Sequence, residues 1–254
     1  MSRQEWYKEI VEDISQRIAP LTAEVYSNYI QVMNPYNNSR VASLNLLEDK
    51  NNLIVIESLK TERAYQGFGL GRTLAHAVTQ LAQRKTTCVE LCAEGQGVYF
   101  WPKNGFWAAD HPINIGNAWD GDKIASSHDQ MVKIMKIYSD CTMKEFEEEL
   151  RCNRALNSRK DQVEQYLKSI DATSLHAQYD LYKDLCSLIE KSDSKDVLWR
   201  VVEHPFAPIL LRDSRIHMIW DSQNPQQVQK RDEFFQEKNL EQFSRMYSQG
   251  IIRS

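Results

Sequence analysis

The sequence predicts an α+β fold in which a mixed β-sheet precedes a mostly helical C-terminal half. Two short apolar runs joined by a polar tetrapeptide predict a β-hairpin. A glycine-rich turn then opens a segment whose apolar residues recur at helical spacing. Beyond about residue 126 most of the periodic segments have helical spacing as well. These three observations define the fold class, and the elements follow in chain order.

The N-terminal part of the chain is predicted to be helical. Apolar residues recur at helical spacing over residues 4–18, and Pro20 ends this helix or opens the next one. Residues 21–32 continue the helical spacing. The turn-forming run Asn-Pro-Tyr-Asn-Asn-Ser at 34–39 then separates the helices from the predicted hairpin.

The central part of the chain is predicted to alternate strands with one helix. Residues 40–47 and 52–59 form the two strands of the hairpin. The turn Gln-Gly-Phe-Gly-Leu-Gly-Arg at 66–72 leads into a strongly amphipathic helix over 71–84. Residues 88–93 are apolar with little alternation, which is typical of a strand covered on both faces.

The C-terminal half is predicted to be mostly helical, and residue 126 is the one candidate boundary between domains. We therefore divide the chain into residues 1–125 and 126–254, the second part being either a separate domain or an elaboration of the first. The predicted elements are helices over 131–138, 146–156, 163–170 and 175–189, a strand pair between 206 and 220, and a terminal helix over 225–247.

The glycine turn has the chemistry of an anion site. The first backbone N–H groups of a helix lack intrahelical acceptors, and the helix dipole adds partial positive charge there. Glycine at Gly67, Gly69 and Gly71 would let a phosphate approach the backbone, and Arg72 adds a full charge. The glycines could equally serve a tight strand-to-helix connection. The spacing fits neither the dinucleotide fingerprint nor a P-loop.

Two segments in order resemble the GNAT superfamily of N-acetyltransferases. Residues 66–71 resemble its signature Gln/Arg-x-x-Gly-x-Gly/Ala, and Phe-Trp-Pro-Lys-Asn-Gly-Phe at 100–106 resembles its Tyr-x-Lys-x-Gly-Phe-like segment. The resemblance covers about residues 41–106. It implies a GNAT-like mixed sheet, acetyl-CoA as co-substrate and acyl transfer to an amine by direct attack.

The resemblance also implies which residues hold the cofactor and which act on the substrate. Glu57, in the strand before the turn, is the first candidate for the general base, with Glu62, Glu90 and Glu94 as alternatives. The family's usual tyrosine falls on Trp101, which cannot donate a proton to a thiolate, so Tyr99 is the candidate general acid. The expected cofactor-binding residues are Gln66, Gly67, Phe68, Gly69, Leu70, Gly71, Arg72, Leu91 and Cys92.

Composition narrows the class of protein. The net charge of −4 gives no reason to expect general nucleic-acid or membrane binding. The five cysteines and six histidines show no metal-ligand spacing, so we expect no metal. No signal peptide and no membrane-spanning stretch are apparent in the sequence, which favours a cytoplasmic protein, with a translocated effector as a second option.

Two functions remain open from the sequence. The first is an acetyl-CoA-dependent N-acetyltransferase acting on a protein lysine, an N-terminus or a small amine. The second is a catalytically weak or inactive GNAT-like protein that binds coenzyme A or other proteins, which the tryptophan at Trp101 favours. In either case the C-terminal half is a candidate surface for a protein target. The acceptor, the acyl-chain length and the oligomeric state are not encoded in any motif.

Overall fold

The fold is α+β, with a mixed sheet and a helix-rich C-terminal half, as the sequence predicts. A computed structural model describes residues 3–48, 53–109, 121–191, 196–212 and 214–236. The strands are β1 (Thr22–Tyr26), β2 (Tyr29–Asn34), β3 (Ser39–Glu48), β4 (Ile54–Thr61), β5 (Cys88–Glu94), β6 (Trp107–Ala108) and β7 (Arg215–Asp221). The helices are α1 (Arg3–Ser15), α2 (Leu70–Lys85), α3 (Gly97–Lys103), α4 (Gly121–Asp140), α5 (Met143–Cys152), α6 (Arg154–Asn157), α7 (Lys160–Ser169), α8 (Leu175–Lys191), α9 (Val197–Glu203), α10 (Ala207–Leu210) and α11 (Pro225–Gln236).

The strands within the described ranges form one mixed sheet in the order β1-β2-β3-β4-β5-β7-β6. Strands β1 to β4 pair antiparallel with their neighbours, whereas β4 pairs parallel with β5. The parallel pair is joined by α2, which is the crossover connection that parallel neighbours require. The hairpin, the helix after the glycine turn and the strand at 88–93 are thereby confirmed.

The chain divides into two compact units, which are described separately. Unit 1 comprises Met1–Cys92, Lys103–Phe106 and Met218–Ser254, and unit 2 comprises Ala93–Pro102 and Trp107–His217. Strands β5 and β7 each contribute residues to both units. The domain boundary near residue 126 stays a prediction.

Unit 1 is held together by α1 and α2, which pack on each other and on the sheet. Helix α1 buries a stripe at helical spacing that includes Ile10 and Ile14, and α2 buries Leu74, Val78 and Leu81. The sheet residues beneath them alternate between buried and partly exposed positions. Burying these apolar side chains is the main favourable contribution to folding of the unit.

The prediction that residues 21–32 are helical is wrong. They form β1 and β2, joined by a turn at Ser27, whose φ is +52°. In β2 every second residue is buried, including Ile30 and Val32. Val25, Tyr29 and Val32 have helical spacing, but β-branched and aromatic residues also favour strands. Pairing with β3 decided between the two structures.

Unit 2 is mainly helical. Helix α4 packs on α5, α8 and α10, and α9 packs on α8, α10 and β6. The N-cap residue of helix α5 is Thr142. Its backbone N–H and its hydroxyl both donate hydrogen bonds to the Glu145 carboxylate, as in a capping box. The helices predicted over 131–138, 163–170 and 175–189 are confirmed within α4, α7 and α8. The segment predicted over 146–156 is divided between α5 and α6.

The strand pair predicted between 206 and 220 is half wrong. Its second strand is β7, but its first segment is the short helix α10. Pro208 lies in the first turn of that helix, where its fixed φ is compatible with a helix start. A short apolar run buried on all sides does not distinguish a strand from a helix by its pattern. The part of the predicted terminal helix beyond Gln236 lies outside the described residues.

Candidate functional site

The glycine turn connects β4 to α2 through left-handed backbone conformations. Gly67 has φ +86° and Gly69 has φ +82°, a region that L side chains rarely adopt. Gly69 is the N-cap of α2, and as a glycine it has no side chain with which to cap the helix. The Thr73 N–H donates to the Gly69 carbonyl at 2.9 Å, which begins the helical bonding. The amides of Leu70 and Gly71 precede this bond and belong to the helix start, where N–H groups have no acceptor within the helix.

Glycine is required for different reasons at the three positions of the turn. A Cβ atom at Gly67 would meet no atom within 4 Å, so only the positive φ requires glycine there. Gly69 also has a positive φ, which again favours glycine at that position. Gly71 lies inside the first turn of α2 and has no positive φ, so its backbone conformation does not require glycine. In a helix glycine is less favourable than alanine by about 1 kcal/mol.

The connection from β4 to the turn is anchored to the sheet. The Gln66 side-chain amide donates to the Thr61 carbonyl at 3.0 Å, so this side chain holds the loop. The buried Tyr65 hydroxyl accepts a hydrogen bond from the Asn34 amide at 3.0 Å. Of the other predicted cofactor residues, Phe68 is half-buried and Leu70 is buried. Hydrogen bonds of Gln66 and of the preceding Tyr65 therefore fix the turn to strands β4 and β2.

Arg72 is placed differently from what the sequence suggests for a charge beside the turn. Its side chain is buried, and one guanidinium nitrogen donates to the Phe234 carbonyl at 3.3 Å. The guanidinium also lies 5.3 Å from the centre of the Phe234 ring. Helix α11 thus contacts the first turn of α2, which the sequence did not predict. Binding of Arg72 to a phosphate stays a prediction.

His76 marks a second contact between α2 and α11. Its ring stacks on Phe235 with centroids 3.6 Å apart. Burial, followed by the positive charges of Arg231 and Arg17, lowers the pKa of His76 from 6.5 to about 3. The imidazole is therefore neutral at pH 7.

Strands β4 and β5 pair over a short distance only. Their register joins three residue pairs and ends at Ile56 opposite Leu91, although β4 continues to Thr61. In β3, Asn45 is opposite Ser58 while Leu46 is opposite Ile56, so Glu57 is left without a partner as a β-bulge. Pairing with both neighbouring strands is thus interrupted beside the same residue.

Three of the predicted residues, Glu57, Leu91 and Cys92, lie at or next to the positions where this pairing ends. Glu57 is exposed, Leu91 is buried and Cys92 is exposed. A bulge changes the direction of a side chain and is frequent next to active sites. The side chain of Glu57 accepts a hydrogen bond from the Asn45 amide. Its partner is therefore neutral.

The alternative bases are placed differently. Glu62 lies 3.9 Å from Arg40, and Glu94, in unit 2, lies 2.9 Å from Arg215. Glu90 stands opposite Val55 in the parallel register. Glu57 is thus bound by the neutral Asn45 amide, whereas Glu62 and Glu94 each lie beside an arginine. The role of Glu57 as the general base stays a prediction.

Two residues near Glu57 were missed by sequence reasoning. Asn45 bonds to Glu57, and the hydroxyl of Tyr7 lies 3.1 Å from the Asn45 side-chain oxygen. The Tyr7 hydroxyl also accepts the Leu46 N–H at 3.0 Å and contacts the Asn28 carbonyl. No motif marks these residues, because Tyr7 is far from Glu57 in the sequence and lies in the apolar stripe of α1.

Tyr99 and Trp101 both lie in α3, within unit 2. The Tyr99 hydroxyl donates to the Ala207 carbonyl of α10 at 2.6 Å. Trp101 is buried, and its indole nitrogen is 3.4 Å from where a Cβ atom of Gly97 would lie. Within unit 2 the Tyr99 proton is thus directed at a backbone carbonyl. Its role as a general acid stays a prediction.

Among the described residues, no group of three or more His, Cys, Asp or Glu side chains could hold a metal ion. None of the described helices is both long enough and apolar enough to cross a membrane.

Several solved structures are similar to part of this chain. The structure aligns 43% of the chain with 80% of an acetyltransferase of the GNAT family from Staphylococcus aureus Mu50, at 14% identity and a TM-score of 0.29. It aligns 48% of the chain with 87% of Ard1 from Thermoplasma volcanium, at 13% identity and a TM-score of 0.30. It also aligns 43% with 81% of Arabidopsis thaliana Naa50 in complex with the bisubstrate analogue CoA-Ac-MVNAL, at 16% identity and a TM-score of 0.28.

No protein-family model matches the sequence, and no curated protein sequence is significantly similar to it. The structural similarities are low in identity and in TM-score. The α+β assignment therefore rests on the order and pairing of the chain's own strands.

Proposed function

We propose that the chain binds acetyl-CoA at the glycine turn and transfers the acetyl group to an amine. The observation that carries this proposal is the start of α2. Its N-cap residue is Gly69, which has no side chain that could cap the helix, and positions 67, 69 and 71 carry no Cβ. A diphosphate needs several amide donors and close approach to the backbone, and this helix start can provide both.

Gly71 is the informative residue of the turn. Its backbone is helical, so a larger residue would fit the backbone and favour the helix. Retaining glycine here has a cost of about 1 kcal/mol in helix propensity. Close approach of a ligand to the helix start accounts for that cost. The same approach would bring the diphosphate to the end of β4.

The interrupted strand pair suits the thioester. The parallel register of β4 and β5 ends at Ile56 and Leu91, and in this proposal the acyl group lies beside that end. In the proposed reaction Glu57 takes a proton from the attacking amine, directly or through water. The C–N bond forms, the thioester C–S bond breaks with its electron pair on sulfur, and the thiolate is then protonated. A backbone N–H in β5 would stabilise the developing oxyanion.

The proposal can be tested by titrating acetyl-CoA into the wild-type protein and two variants of equal side-chain size. Gly71→Gln adds bulk at the helix start, and Gly71→Glu adds the same bulk with a negative charge. We expect binding by the wild type, weaker binding by Gly71→Gln and a further loss of about tenfold or more with Gly71→Glu. The melting temperature of each variant is measured alongside, so that a loss of binding caused by misfolding is recognised.

Two results would count against binding at the turn. One is the absence of heat from wild-type protein at high-micromolar acetyl-CoA. The other is equal affinity of the Gln and Glu variants, because a diphosphate at this helix start must be repelled by a carboxylate at position 71. The melting temperatures separate either result from misfolding.

A second function, coenzyme A binding with little or no transfer, is favoured by the environment of Tyr99. Its single hydroxyl proton is donated to Ala207, and Trp101 stands at the usual tyrosine position. Thiol release from acetyl-CoA in the presence of peptides, polyamines and aminoglycosides would separate the two functions. Persistent absence of thiol release together with tight binding would favour the second. A protein target bound by residues 126–254 stays a prediction, as does the cellular compartment.

A further inference from the structure

The bulge residue Glu57 is connected to helix α1 through one amide side chain. Asn45, on β3, donates from its side-chain nitrogen to the Glu57 carboxylate. On its other side the Asn45 oxygen lies 3.1 Å from the Tyr7 hydroxyl. All three residues belong to unit 1, and Tyr7 is fully buried.

The partners determine the orientation of the Asn45 amide. An ionised carboxylate only accepts hydrogen bonds, so the amide nitrogen must face Glu57. The amide oxygen then faces the Tyr7 hydroxyl, whose one proton is shared between this oxygen and the carbonyls of Asn28 and Leu46. Burial raises the pKa of the Tyr7 phenol above its ordinary value of 10, and the negative charge of Glu57 raises it further, whereas the Leu46 backbone hydrogen bond and Arg3 lower it. The hydroxyl therefore keeps its proton at neutral pH.

We propose that Asn45 is the positioning residue that holds Glu57 toward the acyl site, and that the Tyr7 hydroxyl keeps the Asn45 amide in the required orientation. This inference rests on the proposed function, since it takes Glu57 to be the base. The Asn45 amide orients the carboxylate without placing a positive charge beside it. Asn45 bonds to Oε2, which leaves Oε1 as the oxygen that would take the proton.

Tyr7 also has a structural role. Beyond Leu44 the strand β3 has no register partner in β2, because the chain turns back at Asn28. The Tyr7 hydroxyl closes this strand end by accepting the Leu46 N–H at 3.0 Å and by contacting the carbonyls of Leu46 and Asn28. If Tyr7 and Asn45 acted only in this way, their removal would lower stability without any coupling to Glu57.

The kinetic test is a double-mutant cycle on the full chain. We expect Asn45→Leu to lower kcat for thiol release about tenfold or more, with KM for acetyl-CoA within about twofold of the wild type, because general-base catalysis contributes about 10²- to 10⁴-fold. In a Glu57→Gln background Asn45→Leu should cause no further loss. The matched control is Gln31→Leu. It removes the hydrogen bond of 2.5 Å that the Gln31 amide on β2 donates to the Glu24 carboxylate on β1. It should leave kcat unchanged.

A second measurement does not depend on turnover. The side-chain carboxyl carbon of Glu57, observed by ¹³C NMR without acetyl-CoA, should shift in Asn45→Leu and in Tyr7→Phe but not in Gln31→Leu. Should the wild type neither bind nor turn over acetyl-CoA, the proposed function fails, and this spectrum alone decides whether Asn45 holds Glu57.

Three outcomes overturn the positioning role. The first is an unmoved Glu57 signal in Asn45→Leu. The second is an equal loss of kcat from Asn45→Leu in the wild-type and Glu57→Gln backgrounds. The third is full activity of Glu57→Gln, which would remove the base that Asn45 is proposed to position. The melting temperature of Asn45→Leu shows whether the fold is retained, so misfolding cannot produce any of these results unnoticed.

Discussion

Substitution of Gly105 by alanine should destabilise unit 1 strongly, although it adds one methyl group. Gly105 has φ +84°, and a Cβ atom built there would lie 2.4 Å from the Gln227 carbonyl oxygen and 3.3 Å from the Arg231 nitrogen. The Gln227 side chain is itself bound to the sheet, donating to the carbonyls of Gly105 at 2.9 Å and Ile219 at 2.8 Å. The contact atoms are backbone, so the start of α11 would have to move.

The cost follows from two separate effects. A left-handed conformation costs an alanine about 1–2 kcal/mol. Displacing packed backbone to admit an extra carbon costs about 1–3 kcal/mol more. Gly105→Ala should therefore lower the free energy of unfolding by about 2–5 kcal/mol. For a chain of this size each kcal/mol corresponds to roughly 2–4 °C in melting temperature.

The matched control is Gly67→Ala. Gly67 has φ +86°, almost the same as Gly105, but its Cβ would meet nothing within 4 Å. Only the conformational cost of about 1–2 kcal/mol should therefore appear. Urea unfolding followed by circular dichroism would measure both variants, and the difference between them should be about 1–3 kcal/mol. Equal destabilisation of the two would refute the close approach of α11 to Gly105.

The remaining predictions concern His76 and Tyr99. Because the pKa of His76 is lowered from 6.5 to about 3, the unfolded chain binds the extra proton between these pH values, and stability present above pH 6.5 is lost as the pH falls toward 3. Urea unfolding would measure the free energy of unfolding at pH 7 and at pH 4.5. The decrease between these pH values should be larger for the wild type than for His76→Phe by up to about 2–3 kcal/mol. Equal decreases in the two proteins would contradict this. For Tyr99→Phe we expect kcat to fall about 100-fold if the hydroxyl protonates the thiolate. A change under threefold would assign the hydroxyl to the Ala207 hydrogen bond alone.

The central elements were predictable because their patterns are local. The helix after the glycine turn has an uninterrupted apolar stripe, and the strand that follows it is an apolar run. Thr86, in a left-handed conformation, ends the helix before that strand begins. These patterns need no distant partner to be recognised. Residues 21–32 were mispredicted for the converse reason: their spacing fits a helix and their composition fits strands, and only pairing with β3 decides.

The surroundings of Glu57 could not be predicted in the same way. Its position in a strand followed from the apolar run, but the bulge arises from a register shift between β3 and β4. Tyr7, on helix α1, contacts its hydrogen-bond partner Asn45. Such contacts depend on how separate elements pack, and no periodicity within one segment encodes that.

By itself the sequence determined where the chain turns from strand β4 into helix α2. Glycine at 67 and 69 is needed for the left-handed backbone, and this requirement is a property of the residues themselves. Tertiary structure alone decided that Arg72 lies under Phe234, that Gly105 meets Gln227 and that Asn45 holds Glu57. In each case the physical cause is a contact between residues far apart in the chain, which forms only once the sheet and its helices have assembled.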